Sequence, residues 1–73
     1  MTYEEASEKI KPGRYRHFKG NEYEVLNIAC HTETEEAMVV YRSLYGEGKI
    51  WVRPAKMWFE EVQPNIPRFK LVE

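Results

Sequence analysis

At 73 residues, with 42% of them hydrophobic, 14% aromatic and a formal charge of −1, the chain has material for one globular domain and no more. The aromatic content argues against disorder, because each large ring can bury on the order of 150–250 Å² and a small domain depends on such rings. Cys30 is the only cysteine, which rules out an intramolecular disulfide and a cysteine-based zinc site.

No apolar run reaches signal-peptide or membrane-spanning length, and Met1 to Ile10 is mostly polar and acidic. A cytoplasmic protein without a membrane partner is expected. The overall charge demands neither nucleic acid nor an anionic membrane. Charge is nevertheless segregated. Lys9, Lys11, Arg14, Arg16, His17 and Lys19 occur together without an acid, whereas Glu33 to Glu36 and the pair Glu60–Glu61 are acidic. Such segregation marks either a binding face or solvated strand faces that pair with each other.

In chain order, Thr2 to Lys11 reads as a short helix. Thr2 with Glu5 three residues on fits a capping box, Glu4 and Glu5 occupy the first turn, and Tyr3, Ala6 and Ile10 share a face. Pro12–Gly13 ends it. The period then changes from helical to alternating: Arg14–Phe18 predicts a first strand, closed by the turn signal Lys19-Gly20-Asn21. Glu22–His31 predicts a long second strand with apolar residues on both faces, a sign of a bulge. Thr32–Glu36 is a polar connection. Ala37–Tyr45 is the third strand, Gly46-Glu47-Gly48 a tight turn, and Lys49–Arg53 the fourth strand. Pro54 opens a helical turn over Ala55–Phe59. Gln63–Pro67 reads as a loop and Arg68–Leu71 as a short final strand suited to an edge.

This order predicts an all-β fold, a small five-stranded SH3-like barrel with a short N-terminal helix and one helical turn before the last strand. Residues 1–11 form the N-terminal helical segment and 12–73 the barrel domain. There is no internal repeat.

The stretch Pro12-Gly13-Arg14-Tyr15-Arg16-His17-Phe18-Lys19-Gly20 is similar to the opening of the bacterial DUF1653 family, a domain of unknown function. Further blocks match it: Ala29–Thr34, Val39–Gly46, Trp51–Pro54 with Met57–Glu60, and Pro67-Arg68-Phe69. The resemblance runs from Pro12 over nearly all of the remaining chain. It implies an SH3-type barrel and no established activity. One departure is Cys30, where the family pattern often carries a basic or neutral polar residue.

No catalytic, cofactor or metal motif stands out, and neither a cofactor nor a metal is expected. His17 and His31 approach each other only if the first two strands bring them together, and with Glu33 or Glu35 they make the minimum for a metal site. His31-Thr32-Glu33-Thr34 also places an imidazole, a hydroxyl and a carboxylate close in sequence, as acid–base chemistry requires. Local hydrogen bonds that shape a turn account for the same residues. A small barrel has little room for a substrate pocket, so an enzyme is not the expected reading.

The informative constellation is Tyr15, Tyr41, Tyr45, Trp51 and Trp58 alternating with Arg14, Arg16, Arg42 and Arg53. Trp51 and Arg53 share one face of their strand, opposite Ile50 and Val52. Such a face can stack bases, hold an extended peptide or grip a carboxylate. Rings of this kind also serve as core covered by arginine stems. Trp51, Trp58 and Tyr45 are expected to be partly exposed.

The expected function is a non-catalytic binding module that presents this surface to a peptide, a protein or a small polar ligand. An alternative is RNA or single-stranded DNA binding, with Arg14, Arg16, Lys19 and Arg53 on the backbone and Trp51 stacking. A further alternative is a small-molecule enzyme using His17, His31 and Glu33. The candidate binding set is Trp51, Arg53, Trp58, Tyr45, Arg14, Arg16, His17, His31 and Glu33, in a monomer or in a homodimer formed through a barrel edge or the helix.

Overall fold

The chain begins with helix α1, Tyr3–Lys9, started by the expected capping box. The Glu5 N–H donates to Thr2 Oγ1 at 3.1 Å and the Thr2 N–H donates to Glu5 Oε1 at 3.0 Å, satisfying two otherwise orphaned donors. Hydrogen bonding to the Thr2 backbone N–H, and next to the Thr2 side chain, holds the Glu5 carboxyl below its usual range. Ala6 and Ile10 are buried, whereas Tyr3 stays exposed. A helix this short is marginal alone, so these two contacts with the sheet hold it in place. The computed structural model describes residues 1–72; Glu73, the last residue of the expected barrel domain, lies outside the described residues.

Seven strands follow: β1 Gly13–His17, β2 Glu22–Cys30, β3 Ala37–Ser43, β4 Ile50–Pro54, β5 Glu61–Gln63, β6 Ile66–Pro67 and β7 Phe69–Leu71. A 3₁₀ turn, Ala55–Met57, precedes β5, where the sequence places a helical turn after Pro54. Five strands form one antiparallel sheet in the order β4-β3-β2-β1-β7, so the last strand returns to lie beside the first. These are the five strands expected from the sequence. The sheet stays open, with β4 and β7 as its edges. The segment read as a loop before the final strand instead holds a small second sheet, the β5–β6 hairpin, turned at Asn65 with φ 67°. Pro67 is compatible with so short an outlying ladder.

Alternation along the strands separates two faces. Tyr15, Val25, Val39, Tyr41 and Ser43 are buried inside, while Arg14, Arg16 and Arg42 point outward. The apolar residues on both faces of β2 are resolved by a bulge between Val25 and Asn27. The extra residue, Leu26, is 38% exposed, while Val25 and Ile28 both turn inward. The Ile28 N–H donates to Asn27 Oδ1 at 2.8 Å across this irregularity.

At the centre of the core, Trp58 stacks on Phe69 with ring centroids 3.8 Å apart and planes within 4°. Tyr15 and Tyr41 meet it edge-on at 5.5 and 5.0 Å. The expectation that Trp58 is partly exposed is therefore corrected: its exposure is 0%. The physical reason is the 3₁₀ turn, which swings Trp58 under the sheet and leaves its neighbour Phe59 at the rim. Burying a ring of that size contributes at most about 4–6 kcal/mol by area. Its Nε1 is buried without a hydrogen-bond partner, which offsets about 1–3 kcal/mol of that gain.

Candidate functional site

At one end of the inner face of the sheet a cluster of aromatic rings, the basin, surrounds Arg53. In β4, Trp51 lies opposite Tyr41 and Arg53 opposite Val39, so both side chains follow the inward residues of β3. The Trp51 indole N–H donates to Ser43 Oγ at 2.8 Å, which orients the ring while leaving it 45% exposed. The Arg53 Nε–H reaches the Tyr41 hydroxyl at 3.4 Å, and its guanidinium carbon lies 5.6 Å from the Phe69 ring centroid.

Tyr23 is the hub. Its hydroxyl bonds the Tyr45 hydroxyl at 2.8 Å, and its ring meets those of Tyr41, Tyr45 and Phe69 edge-on at 5.4, 5.6 and 5.6 Å. His17 closes the basin on the β1 side, 4.9 Å from Phe69 and 6.4 Å from Tyr23 between ring centroids. Each edge-to-face pair adds about 0.5–1.5 kcal/mol beyond its area, so the basin floor is rigid before any ligand arrives. Beside it, Tyr45, Lys49 and Trp51 line a groove of about 270 Å³, with Glu47 at its turn end.

The polar groups gathered here are phenols, an imidazole and a guanidinium. Burial, then the hydrogen bond with Tyr45, pushes the Tyr23 hydroxyl up to about 12, so it remains a neutral phenol. Burial, followed by the charges of Arg53, Arg68 and Lys19, lowers the His17 imidazole below its usual value. His17 Nδ1 accepts from the Lys19 N–H at 3.2 Å, which assigns the proton of the neutral ring to Nε2. Arg68 pairs with Glu60 at 3.2 Å, but Arg53 has no carboxylate partner among the described residues. Among the described residues this leaves a half-buried guanidinium without a counter-charge.

Of the residues expected from the sequence, Tyr45, Trp51, Arg53 and His17 come together here. Trp58 lies beneath, sealed in the core. Arg14 and Arg16 lie on the opposite face, where Glu22 holds them at 3.6 and 2.8 Å. His31 and Glu33 belong to a distant turn. The grouping of His17, His31 and Glu33 into one site is thus corrected by the register: His17 faces Asn21 at one end of β2, and His31 follows the other end. His31 Nδ1 accepts from the Glu33 and Thr34 N–H groups at 3.2 and 3.4 Å, and the Glu36 N–H donates to Thr34 Oγ1 at 3.2 Å. These polar residues shape a turn in which Glu35 adopts φ 59°. Tyr23 is the basin residue that sequence reasoning missed. The signal was its alternation with Val25, which marks it as inward-facing.

A sequence profile described as "Protein of unknown function (DUF1653)" matches residues 13–71. The chain belongs to the DUF1653 family. It is similar to a crystal structure of a DUF1653 protein from Bordetella bronchiseptica, at 37% sequence identity, with a TM-score of 0.80 over 89% of this chain and 90% of that one. No curated protein matches. The match to DUF1653 begins at Gly13 and therefore takes in every residue of the basin, from His17 to Phe69.

Proposed function

We propose that this chain is a non-catalytic binding module whose recognition surface is the basin of Tyr23, Tyr45, Trp51, Arg53 and His17. The guest is a protein or peptide partner, or a small polar ligand, that brings an anionic or carbonyl group to Arg53 and an apolar or planar part to Trp51 and Tyr45. The observation that carries this reading is Arg53 itself, a half-buried cation over Phe69 with no carboxylate partner among the described residues. Guanidinium and exposed ring together favour a planar acceptor group.

The strand order and the 3₁₀ turn before the final strands support an SH3-like relationship, which suits a binding role by analogy of fold. The lone Cys30 supports a cytoplasmic setting. No helix among the described residues is long and apolar enough to cross a membrane. The nucleic-acid reading loses support because Arg14 and Arg16, its expected backbone contacts, are paired with Glu22 on the opposite face.

The test is affinity capture from a native lysate with the wild-type chain, Arg53→Gln and Trp51→Ala. Both variants are expected to lose the wild-type partners, Arg53→Gln by roughly tenfold or more, while keeping a cooperative melt at a somewhat lower temperature, because each loses a hydrogen bond. Equal capture by all three proteins rules the basin out as the recognition surface.

A further inference from the structure

Strand β4 is an open sheet edge with an orderly set of unpaired groups. The Ser43 N–H donates to Lys49 O at 3.0 Å, and the register opposes Arg42 to Ile50 and Val40 to Val52. Lys49, Trp51 and Arg53 therefore direct their backbone groups toward β3, and Ile50 and Val52 direct theirs away from it. The bond from the Leu44 N–H to Glu22 O agrees, because it turns the even-numbered residues of β3 toward β2. Nothing among the described residues pairs with the backbone of Ile50 or Val52.

The side chains of those same two residues are 65% and 62% exposed, the highest values among the exposed large hydrophobics. Natural sheet edges are blunted by charge, proline or a covering segment. Here Pro54 ends the edge, and Ile50 and Val52 leave its middle open and apolar. On the inner side of the strand, Lys49 and Arg53 flank Trp51 at a two-residue spacing, and neither has an ion-pair partner among the described residues.

We propose that β4 accepts an acidic, extended segment of a partner protein as an added antiparallel strand, in the pattern acid–apolar–any–apolar–acid. The two carboxylates meet Lys49 and Arg53, the central residue faces Trp51, and the apolar pair covers Ile50 and Val52. Backbone bonds to Ile50 and Val52 supply affinity, and the alternating side chains supply specificity. The proposal rests on the binding role of Trp51 and Arg53 and adds a backbone component to it.

Charge complementarity also decides against a second copy of this chain. A symmetric β4 pair centred on Trp51 sets Arg53 directly opposite Lys49 of the copy, and like charges so placed are destabilising. Centring the pair on Val52 sets Ile50 against Pro54, which has no N–H to donate.

The experiment titrates the full chain, labelled for amide detection, with a capped peptide Ser-Glu-Val-Thr-Val-Glu-Ser and with its counterpart carrying Lys for both Glu. With the acidic peptide, hydrogen exchange at the Ile50 and Val52 amides is expected to slow by roughly tenfold or more at saturation, with no such effect from the lysine peptide. Val52→Pro deletes an edge N–H without touching the β3 ladder and is expected to weaken binding by roughly fivefold or more. Val52→Glu, at an exposed position that tolerates substitution, makes the same test by charge and cover if the proline variant does not fold. Equal binding of the lysine peptide, protection away from β4, or sedimentation of the free chain as a β4-linked dimer overturns the proposal. If Val52→Glu retains the lysate partners that Arg53→Gln loses, the edge is excluded and the basin reading stands. If Arg53→Gln loses neither the lysate partners nor the peptide, both fail.

Discussion

The two faces of the central sheet use the same residue types to opposite ends. On the outer face, Arg14, Arg16 and Arg42 lie on neighbouring strands with Glu22 and Glu24 between them, and every one of these arginines is paired, at 3.6, 2.8 and 2.7 Å. On the inner face, Arg53 stands over Phe69 with tyrosine and tryptophan around it and, among the described residues, no acid to neutralise it. Whether an arginine on a strand is neutralised therefore depends on its cross-strand neighbours. The outer ladder spends its charge internally in water, where each pair contributes about 0–1 kcal/mol. The inner cation sits where solvent screens it less, so a guest carboxylate gains more from it.

Breaking the floor of the inner face has the largest expected effect. Trp58→Ala removes the ring stacked on Phe69 and is expected to cost about 3–5 kcal/mol of stability, enough to unfold much of a domain this size, as a urea titration will show. A smaller change sharpens the picture of the basin. Tyr45→Phe deletes the hydroxyl that bonds Tyr23, and is expected to cost about 0.5–1.5 kcal/mol in the same titration. It is also expected to bring the Tyr23 ionisation down from about 12, read by ultraviolet absorbance against pH.

The outer face is expected to respond less. Glu22→Gln frees Arg14 and Arg16 and is expected to change stability by less than about 1 kcal/mol, without affecting partner capture. A loss of more than about 1 kcal/mol breaks the contrast between the faces. The smallest effect is a pH dependence from His17, whose imidazole ionises below its ordinary value of 6.5 in the folded chain. The unfolded chain then binds its proton first as pH falls. The contribution is complete above that ordinary value and is lost as pH drops through it toward the lower folded value. Thermal melts between pH 8 and pH 5 should show this slope in the wild-type chain and a shallower one in His17→Gln.

Much of the fold was legible because its signals are local. The Thr2–Glu5 capping box, the Pro12–Gly13 stop, the turn around Gly46–Gly48 and the alternation of Arg14 to His17 each lie within a few residues of one another. The bulge in β2 was legible for the same reason: a regular strand turns alternate residues to water, so Val25 and Ile28 can both be buried only if the strand slips a residue between them. The site was legible in part. Trp51 and Arg53 share a face by spacing alone, and their strand did place them together with Tyr45 at the basin.

Tertiary structure decided the rest. Arg16 and Arg53 look alike in sequence, each two residues from another residue of the same face in an aromatic-rich strand. Only the register, which opposes Arg16 to Glu22 and Arg53 to Val39, separates a neutralised cation from one with no acid partner among the described residues. Trp51 and Trp58 are likewise both tryptophans near Pro54, yet the 3₁₀ turn sends one into the core and leaves the other at an open edge. The sequence alone determined the order of the five main strands and which side chains share a strand face, because those depend on near neighbours along the chain, whereas the β5–β6 hairpin reads as a loop. Pairing across strands determined which rings are exposed, which charges are cancelled and which edge stays open, because burial and counter-charge are supplied by residues distant in sequence.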